Sequence, residues 1–405
     1  MLKDKLAATL FIVMIIGLMV GMFTYKDNRP IQDFLTEYRN TVVEGTPLIY
    51  RVYGAIDAAE TIMIRDTYRR SDFNELFGLT QKLLGKNILQ DPNYGQIYKT
   101  TEDQIIFSVA KKEVKPAIDS LAELKKELDV IGVPLLYVQA PFKVSDKEQT
   151  LPAGIQDYAD KNADEFLEGL KAEGIDFLDL RPLLRDGEKS QKELFYDTDH
   201  HWRIETAFEA TWHIGRALNQ KYGFQIEDKY MSLDAYNVKI FKDFFQGSMG
   251  RRVGSVYGGI DDFTLITPKF STDLSVEQRD ENQETFYTGD FEQSMLVLDN
   301  IDANRPVDTN RYAVYRGDNG ELVFKNNMDA YGKVMMIKDS FALPVYSFLA
   351  PAIKETSALD MRYFHENVVE YTKKTKPDVL IVLYNGDSFT EEMFDFNLNQ
   401  GEKND

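Results

Sequence analysis

The sequence has no cysteine, and only four histidines and two tryptophans among 405 residues. The missing cysteine excludes disulfides, thiolate metal sites and a cysteine nucleophile, and leaves the compartment open. Basic residues are also scarce: 47 Lys and Arg face 66 Asp and Glu, a formal charge of −19. Each phosphate contact needs a Lys or Arg, so a nucleic-acid-tracking protein is excluded. No internal repeat or low-complexity linker occurs, and no long apolar run follows residue 24. Gly247 to Gly254 has the glycines of a phosphate loop but lacks the Gly-Lys-Ser/Thr ending, which removes nucleotide binding. What the chain does have is a hydrophobic content of 43%, enough for a sizeable core and too much for a disordered chain.

The N-terminus carries the one long apolar run. Leu6 to Thr24 contains no charge, and as a helix it measures roughly 28 Å at ~1.5 Å per residue, close to a bilayer core. Lys3 and Lys5 precede it, while Lys26, Asp27 and Arg29 follow, so charge bias sets no orientation. No small-residue cleavage site follows it. The expectation is an uncleaved signal anchor over residues 1–26, a single-pass transmembrane helix that leaves the remainder extracytoplasmic.

Residues 27–100 are polar and helix-leaning, and read as a helical stalk and first layer. Beyond them Val114, Ile118, Leu121, Leu124 and Leu128 recur at helical spacing up to Gly132. Val133 to Ala140 is a short apolar run, read as a buried strand. A second helix through Phe166, Leu167 and Leu170 stops near Gly174 and leads into a strand at Ile175 to Leu180. A helix is expected over Arg203 to Gln220. Residues 225–330, rich in Tyr, Phe, Gly, Asp and Thr, read as an irregular, partly β insertion. Strands return at Val334 to Lys338 and Asp378 to Leu383, with a helix at Glu366 to Lys374 between them, and 396–405 is a frayed tail. Helices alternating with short apolar strands predict an α/β fold with a parallel sheet.

Two constellations can carry chemistry. Asp199 and His201 are two apart, just ahead of a helix, so a loop can aim both into one cleft. A carboxylate beside an imidazole either orients a general base or shares a metal. Asp197, Asp199, His200 and His201 fall within five consecutive residues, too tight for all to converge on one ion, so no metal is expected. Asp197 competes with Asp199 as the histidine's partner. His200 points elsewhere, and His213, beside Trp212, reads as a packed or surface residue. The second constellation is a strand ending in Asp339 and Ser340, which presents Ser340 at the carboxyl edge of a sheet, where open α/β sheets place their sites. There its own N–H can help bind an oxyanion. Gly386-Asp387-Ser388 offers a second serine, but few elements remain after it to complete a fold, and Ser340 is preferred.

Asp199-His200-His201-Trp202 spells the signature of the bacterial DHHW family. Ile337 to Phe341, Pro344, Phe348 to Pro351 and Asp360 to Tyr363 look like the rest of that family's pattern, and the resemblance covers roughly residues 100–395, the expected SGNH-like domain being 101–395. The DHHW family is similar to the alginate O-acetylation proteins, whose SGNH-hydrolase-like domain has its Asp and His ahead of the Ser. The resemblance implies a three-layer SGNH-like sheet with Ser340 as nucleophile, His201 as general base, Asp199 as its orienting carboxylate and Arg362 as a substrate contact. It also implies O-acetylation of a secreted or cell-wall polysaccharide, with no cofactor, supplied by a membrane-bound O-acyltransferase partner.

Position 338 departs from the SGNH motif, with Lys in place of Gly. That puts a cation near the site, where Lys338, Arg251 and Arg252 form a candidate basic patch for an anionic polymer. Gly250 and Asn385 are the candidate oxyanion donors beyond Ser340. Two other readings use the same residues. The domain could be a carbohydrate esterase with the same triad, or a non-catalytic polysaccharide-binding or accessory module whose tyrosines stack on sugars.

Overall fold

The computed structural model describes the backbone of residues 2–24, 30–42, 47–65, 69–148, 150–185, 189–280 and 283–398. The chain divides into two compact units, Met1–Phe77 and Gly78–Asp405. The first contains helices at Leu2–Thr24, Pro30–Thr41 and Leu48–Arg65. Leu10, Phe11, Ile12, Val13 and Ile16 on the first of these are exposed. Among the described residues no helix is long and apolar enough to cross a membrane, so the expected transmembrane span is not supported here. Side chains of that helix are described at residues 9–18, 20 and 21, fewer than the ~20 apolar residues a span needs, and the rest of the run lies outside them.

Residues 27–100 are not all helical, as the sequence had suggested. After the helix Arg70–Leu83 the chain forms β1 (Ile88–Asp91) and β2 (Gly95–Lys99), an antiparallel hairpin joined by β3 (Ile105–Ile106). Gly95 sits at φ 68°, a conformation glycine adopts without Cβ strain, where the hairpin turns into β2.

The larger sheet is built from β4 (Leu135–Gln139), β5 (Asp176–Asp179), β8 (Leu274–Asp280), β9 (Gln283–Gly289), β10 (Glu321–Asn326), β11 (Tyr331–Lys338), β12 (Ile353–Leu359) and β13 (Val379–Tyr384), while β6 (Tyr236–Phe245) and β7 (Asp261–Pro268) pair separately. Its order is β5-β4-β13-β11-β12-β10-β8-β9. The first five strands are parallel, and β10, β8 and β9 extend them antiparallel. Two expectations are corrected here. The sheet is mixed rather than parallel, and part of 225–330 continues it, since β8, β9 and β10 are hydrogen-bonded into it while β6 and β7 pair apart.

Every residue of β4 and β13 is buried, as strands covered on both faces require. Successive residues feed opposite cores: Leu136, Val138, Met336, Ile381 and Leu383 join one cluster, Tyr137, Met335, Ile337, Leu380 and Val382 the other. Helices Ile204–Tyr222 and Ala342–Leu349 pack into the first core. Helices Lys115–Ile131, Ala159–Ala172 and Val368–Thr375 pack into the second, giving three layers. Gly132 ends the first of these in the left-handed region, its N–H returning to the Asp129 carbonyl. Parallel strands aim their carboxyl ends at one edge, which gathers the segments after β4, β11, β12 and β13.

Candidate active site

Ser340 leaves the end of β11 at that edge, ahead of the helix Ala342–Leu349. Residue 339 anchors the turn. The Asp339 carboxylate accepts hydrogen bonds from the Phe341 N–H, the Asn385 N–H and side-chain amide, and the Ser388 hydroxyl, at 2.7–2.9 Å. The nucleophile turn is thereby tied to the loop after β13. Burial pushes the Asp339 carboxyl up, against these stabilising bonds.

His201 arrives from the other side, in the loop before the helix Ile204–Tyr222. That loop is fixed at several points. Asp261 accepts from the Asp197 N–H, the Thr198 N–H and the Thr198 hydroxyl. Buried Lys143 donates to the carbonyls of Ile105, Asp197 and Asp199 at 2.9–3.0 Å. Trp202 donates its indole N–H to the Tyr312 hydroxyl and the Phe341 carbonyl, joining the histidine loop to the serine turn. The His201 ring stacks on Tyr312, centroids 4.0 Å apart.

These constraints bring Ser340 to the pair Asp199 and His201, which lies far from it in sequence. His201 Nε2 is 2.7 Å from Ser340 Oγ, and His201 Nδ1 is 2.6 Å from Asp199 Oδ1. Asp199 Oδ1 also accepts from the His201 N–H and Oδ2 from the Ser248 N–H. Burial works against the Asp199 charge, but the neighbouring His201 and His200 and these hydrogen bonds hold its carboxyl well below the ordinary range. Among the described residues Asp197, the competing carboxylate, has no hydrogen bond or ion pair with His201; its own carbonyl takes the Lys143 bond.

Of the other candidates, Arg362, Asn385 and Ser388 line the cleft with Ser340. Ser388 lies 2.7 Å from Asp339 Oδ2, to which it donates, and is not paired with a histidine. Asn385 spends its side-chain donors on Asp339 and Ser388, and the Gly250 N–H on the Thr198 carbonyl, so neither is a free oxyanion donor. The Ser340 N–H, by contrast, has no hydrogen-bond partner among the described residues. The glycine stretch supports the acid instead: a Cβ on Gly247 would fall inside van der Waals contact of Asp199. Lys338 is fully buried between Asp318 and Asp360, at 2.7 and 2.8 Å, and cannot steer a substrate. Arg362 lines the cleft, its guanidinium 2.6 Å from Asp360 and 3.2 Å from Asp318. Arg252 is held by Asp91. Two of the three cations of the expected basic patch, Lys338 and Arg252, are therefore tied to carboxylates.

His200 bonds the Ser248 hydroxyl through Nδ1 at 2.7 Å, and burial with the adjacent His201 lowers it to about 3. Asp199, His200 and His201 have donor atoms within 4.8 Å of one another, a spacing that could suit a metal. Both His201 nitrogens and both Asp199 oxygens already have hydrogen-bond partners, which fits the set to proton transfer better than to ligation. Lys143, Tyr312, Ser248 and Asp261 were not foreseen, because each lies far in sequence from both motifs. The cleft over Ser340 has a volume of about 200 Å³.

Residues 98–237 match the family model described as SGNH hydrolase-like domain, acetyltransferase AlgX. Among solved structures, Bacillus cereus PatB1 with a sulfonyl adduct aligns with a TM-score of 0.61 and 21% identity, over 76% of this chain and 97% of that one. A DHHW family protein from Eubacterium siraeum aligns with a TM-score of 0.58 and 16% identity, over 78% and 97%. The chain is similar to the DHHW and AlgX-type SGNH-hydrolase-like proteins. At these identities the structural likeness speaks for the fold. No curated protein matches the sequence. The SGNH-like match begins within β2 and ends just inside β6, so it takes in Asp199 and His201, while Ser340 lies beyond it.

Proposed function

We propose that the chain is an extracytoplasmic serine O-acyltransferase that acetylates a secreted or cell-wall polysaccharide through an acyl-serine intermediate. The observation that carries this reading is the hydrogen-bonded series Ser340, His201, Asp199 at the carboxyl edge of the sheet. His201 Nε2 takes the proton as Ser340 Oγ attacks the donor's acyl carbon, and Asp199 holds the tautomer and stabilises the imidazolium. The Ser340 N–H faces the developing oxyanion. The donor's leaving group departs with the proton from His201. A sugar hydroxyl then gives its proton to His201 and attacks the acyl-serine, forming the product ester and restoring Ser340. Water in place of the sugar gives the esterase reaction.

Position in the cell belongs to the same proposal. The uncharged run Leu6 to Thr24 would anchor the chain in the membrane, with the site outside. No acetyl-coenzyme A is present there, so a membrane-bound O-acyltransferase is the fitting acyl source.

The test is labelling of the full chain with a serine-reactive fluorophosphonate, followed by peptide mass spectrometry. Label is expected on Ser340, lost in Ser340→Ala and reduced at least about a hundredfold in His201→Ala, the scale of positioned base catalysis. Label on Ser388, or none on folded protein, overturns the assignment.

A further inference from the structure

The β1–β2 hairpin carries a residue that the catalytic reading leaves unused. Its turn is drawn tight by Asp91, whose Oδ1 accepts from the Asn93 and Tyr94 N–H groups at 2.9 and 3.0 Å. Arg252 braces the same carboxylate through both oxygens and lies over the Tyr94 ring, 4.8 Å from its centroid. Tyr94 also stacks on Phe107, centroids 4.4 Å apart, and Phe107 meets Phe142 edge-on. All three aromatics line the cleft that contains Ser340. Tyr94 is nevertheless 37% exposed, and its hydroxyl has no hydrogen-bond partner among the described residues. Burial of the phenol raises its pKa, so it stays protonated and can both donate and accept.

The charges around the cleft narrow the ligand. Arg362 is compensated by Asp360 and Asp318, Arg252 by Asp91, and Asp387 faces Lys112. Among the described residues, no cation lining the cleft is left uncompensated for a carboxylated or phosphorylated polymer. At about 200 Å³ the cleft falls below the roughly 300–1,000 Å³ of sites that enclose drug-sized ligands, which suits one sugar residue rather than a buried chain. Phe107 and Phe142 are themselves buried, so what the aromatic wall offers a ligand is the exposed Tyr94 phenol, whose hydroxyl matches the hydroxyls of a neutral sugar.

We infer that Tyr94 is an acceptor-binding residue: its hydroxyl hydrogen-bonds a neutral sugar residue held beside Ser340. The inference rests on the acyltransferase reading and deepens it by naming the acceptor class. It also places part of the acceptor site in a hairpin turn ahead of the SGNH-like match.

The experiment measures protection of Ser340 from fluorophosphonate labelling by cellotetraose, mannotetraose and chitotetraose, with tetragalacturonate as the anionic counterpart. It uses the full chain and the Tyr94→Phe variant, which keeps the ring on Phe107. At least one neutral tetrasaccharide is expected to slow labelling. Tyr94→Phe is expected to raise the concentration needed about threefold to tenfold, the effect of one lost hydrogen bond, with labelling unchanged when no sugar is present. No protection by any neutral sugar, equal protection in both proteins, or stronger protection by tetragalacturonate overturns the inference and leaves the nucleophile intact. Absence of label from Ser340 without sugar overturns the acyltransferase reading itself, and this inference with it.

Discussion

At the scale of single residues, activation of a serine depends on groups that never touch the substrate. Lys143 illustrates this. It is buried, with no carboxylate within ion-pair distance among the described residues, and its three hydrogen bonds go to backbone carbonyls, one of them that of Asp199. Burial lowers its pKa to about 8, against the partial support of Asp261, Asp197 and Asp199, while Arg203 pushes in the same direction as burial. Losing the proton leaves an amine with two N–H donors for three carbonyls, so the loop bearing Asp199 slackens. The Ser340 labelling rate is therefore expected to fall above about pH 8. The sign for stability is the opposite. The folded pKa lies below the unfolded value of roughly 10.4, so the unfolded chain holds more protons between the two, and this group's contribution to stability rises with pH across that window. Labelling and thermal melts measured from pH 7 to 10 separate the two effects. An alkaline fall that persists unchanged in folded Lys143→Met would assign it to another group.

At the scale of elements, the segment between β6 and β7 shows how a loop remote in sequence completes a site. Gly247 and Ser248 lie against Asp199, with the Ser248 N–H on Oδ2 and the Ser248 hydroxyl on His200. A methyl group at residue 247 would overlap Asp199, which is itself held by His201 and cannot retreat without leaving it. Gly247→Ala is expected to cost roughly 1–3 kcal/mol, the usual range for overpacking, and to lower the Ser340 labelling rate at least about tenfold. Calorimetric melting and labelling kinetics read these out. A variant with wild-type labelling would mean that Asp199 tolerates displacement. The same principle explains Trp202: its indole bridges the histidine loop and the serine turn, so the fourth residue of the signature holds the third, His201, against Ser340.

At the scale of the whole molecule, the proposed anchor makes a direct prediction. The full chain is expected to sediment with membranes and to require detergent, and a chain lacking residues 1–26 to remain in the supernatant. Full-length chain in the supernatant would remove the anchor from the proposal. The sequence by itself determined the α/β rhythm, because strands covered on both faces must read as unbroken apolar runs and amphipathic helices must repeat at their own period; β4, β11 and β13 and the helices Lys115–Ile131 and Ile204–Tyr222 lie close to where those patterns put them. It also singled out Asp199, His201 and Ser340, since a carboxylate two residues from a histidine and a serine at a strand end are local patterns. Only the tertiary structure decided which charged groups are available. Lys338 and Arg362 look equally free in sequence, yet the first is enclosed by Asp318 and Asp360 and the second lines the cleft. Only the tertiary structure brought Lys143, Tyr312 and the Tyr94 hairpin to the site. Their pairings join residues far apart in the chain, and the free energy of such contacts depends on burial and geometry that no local spacing encodes.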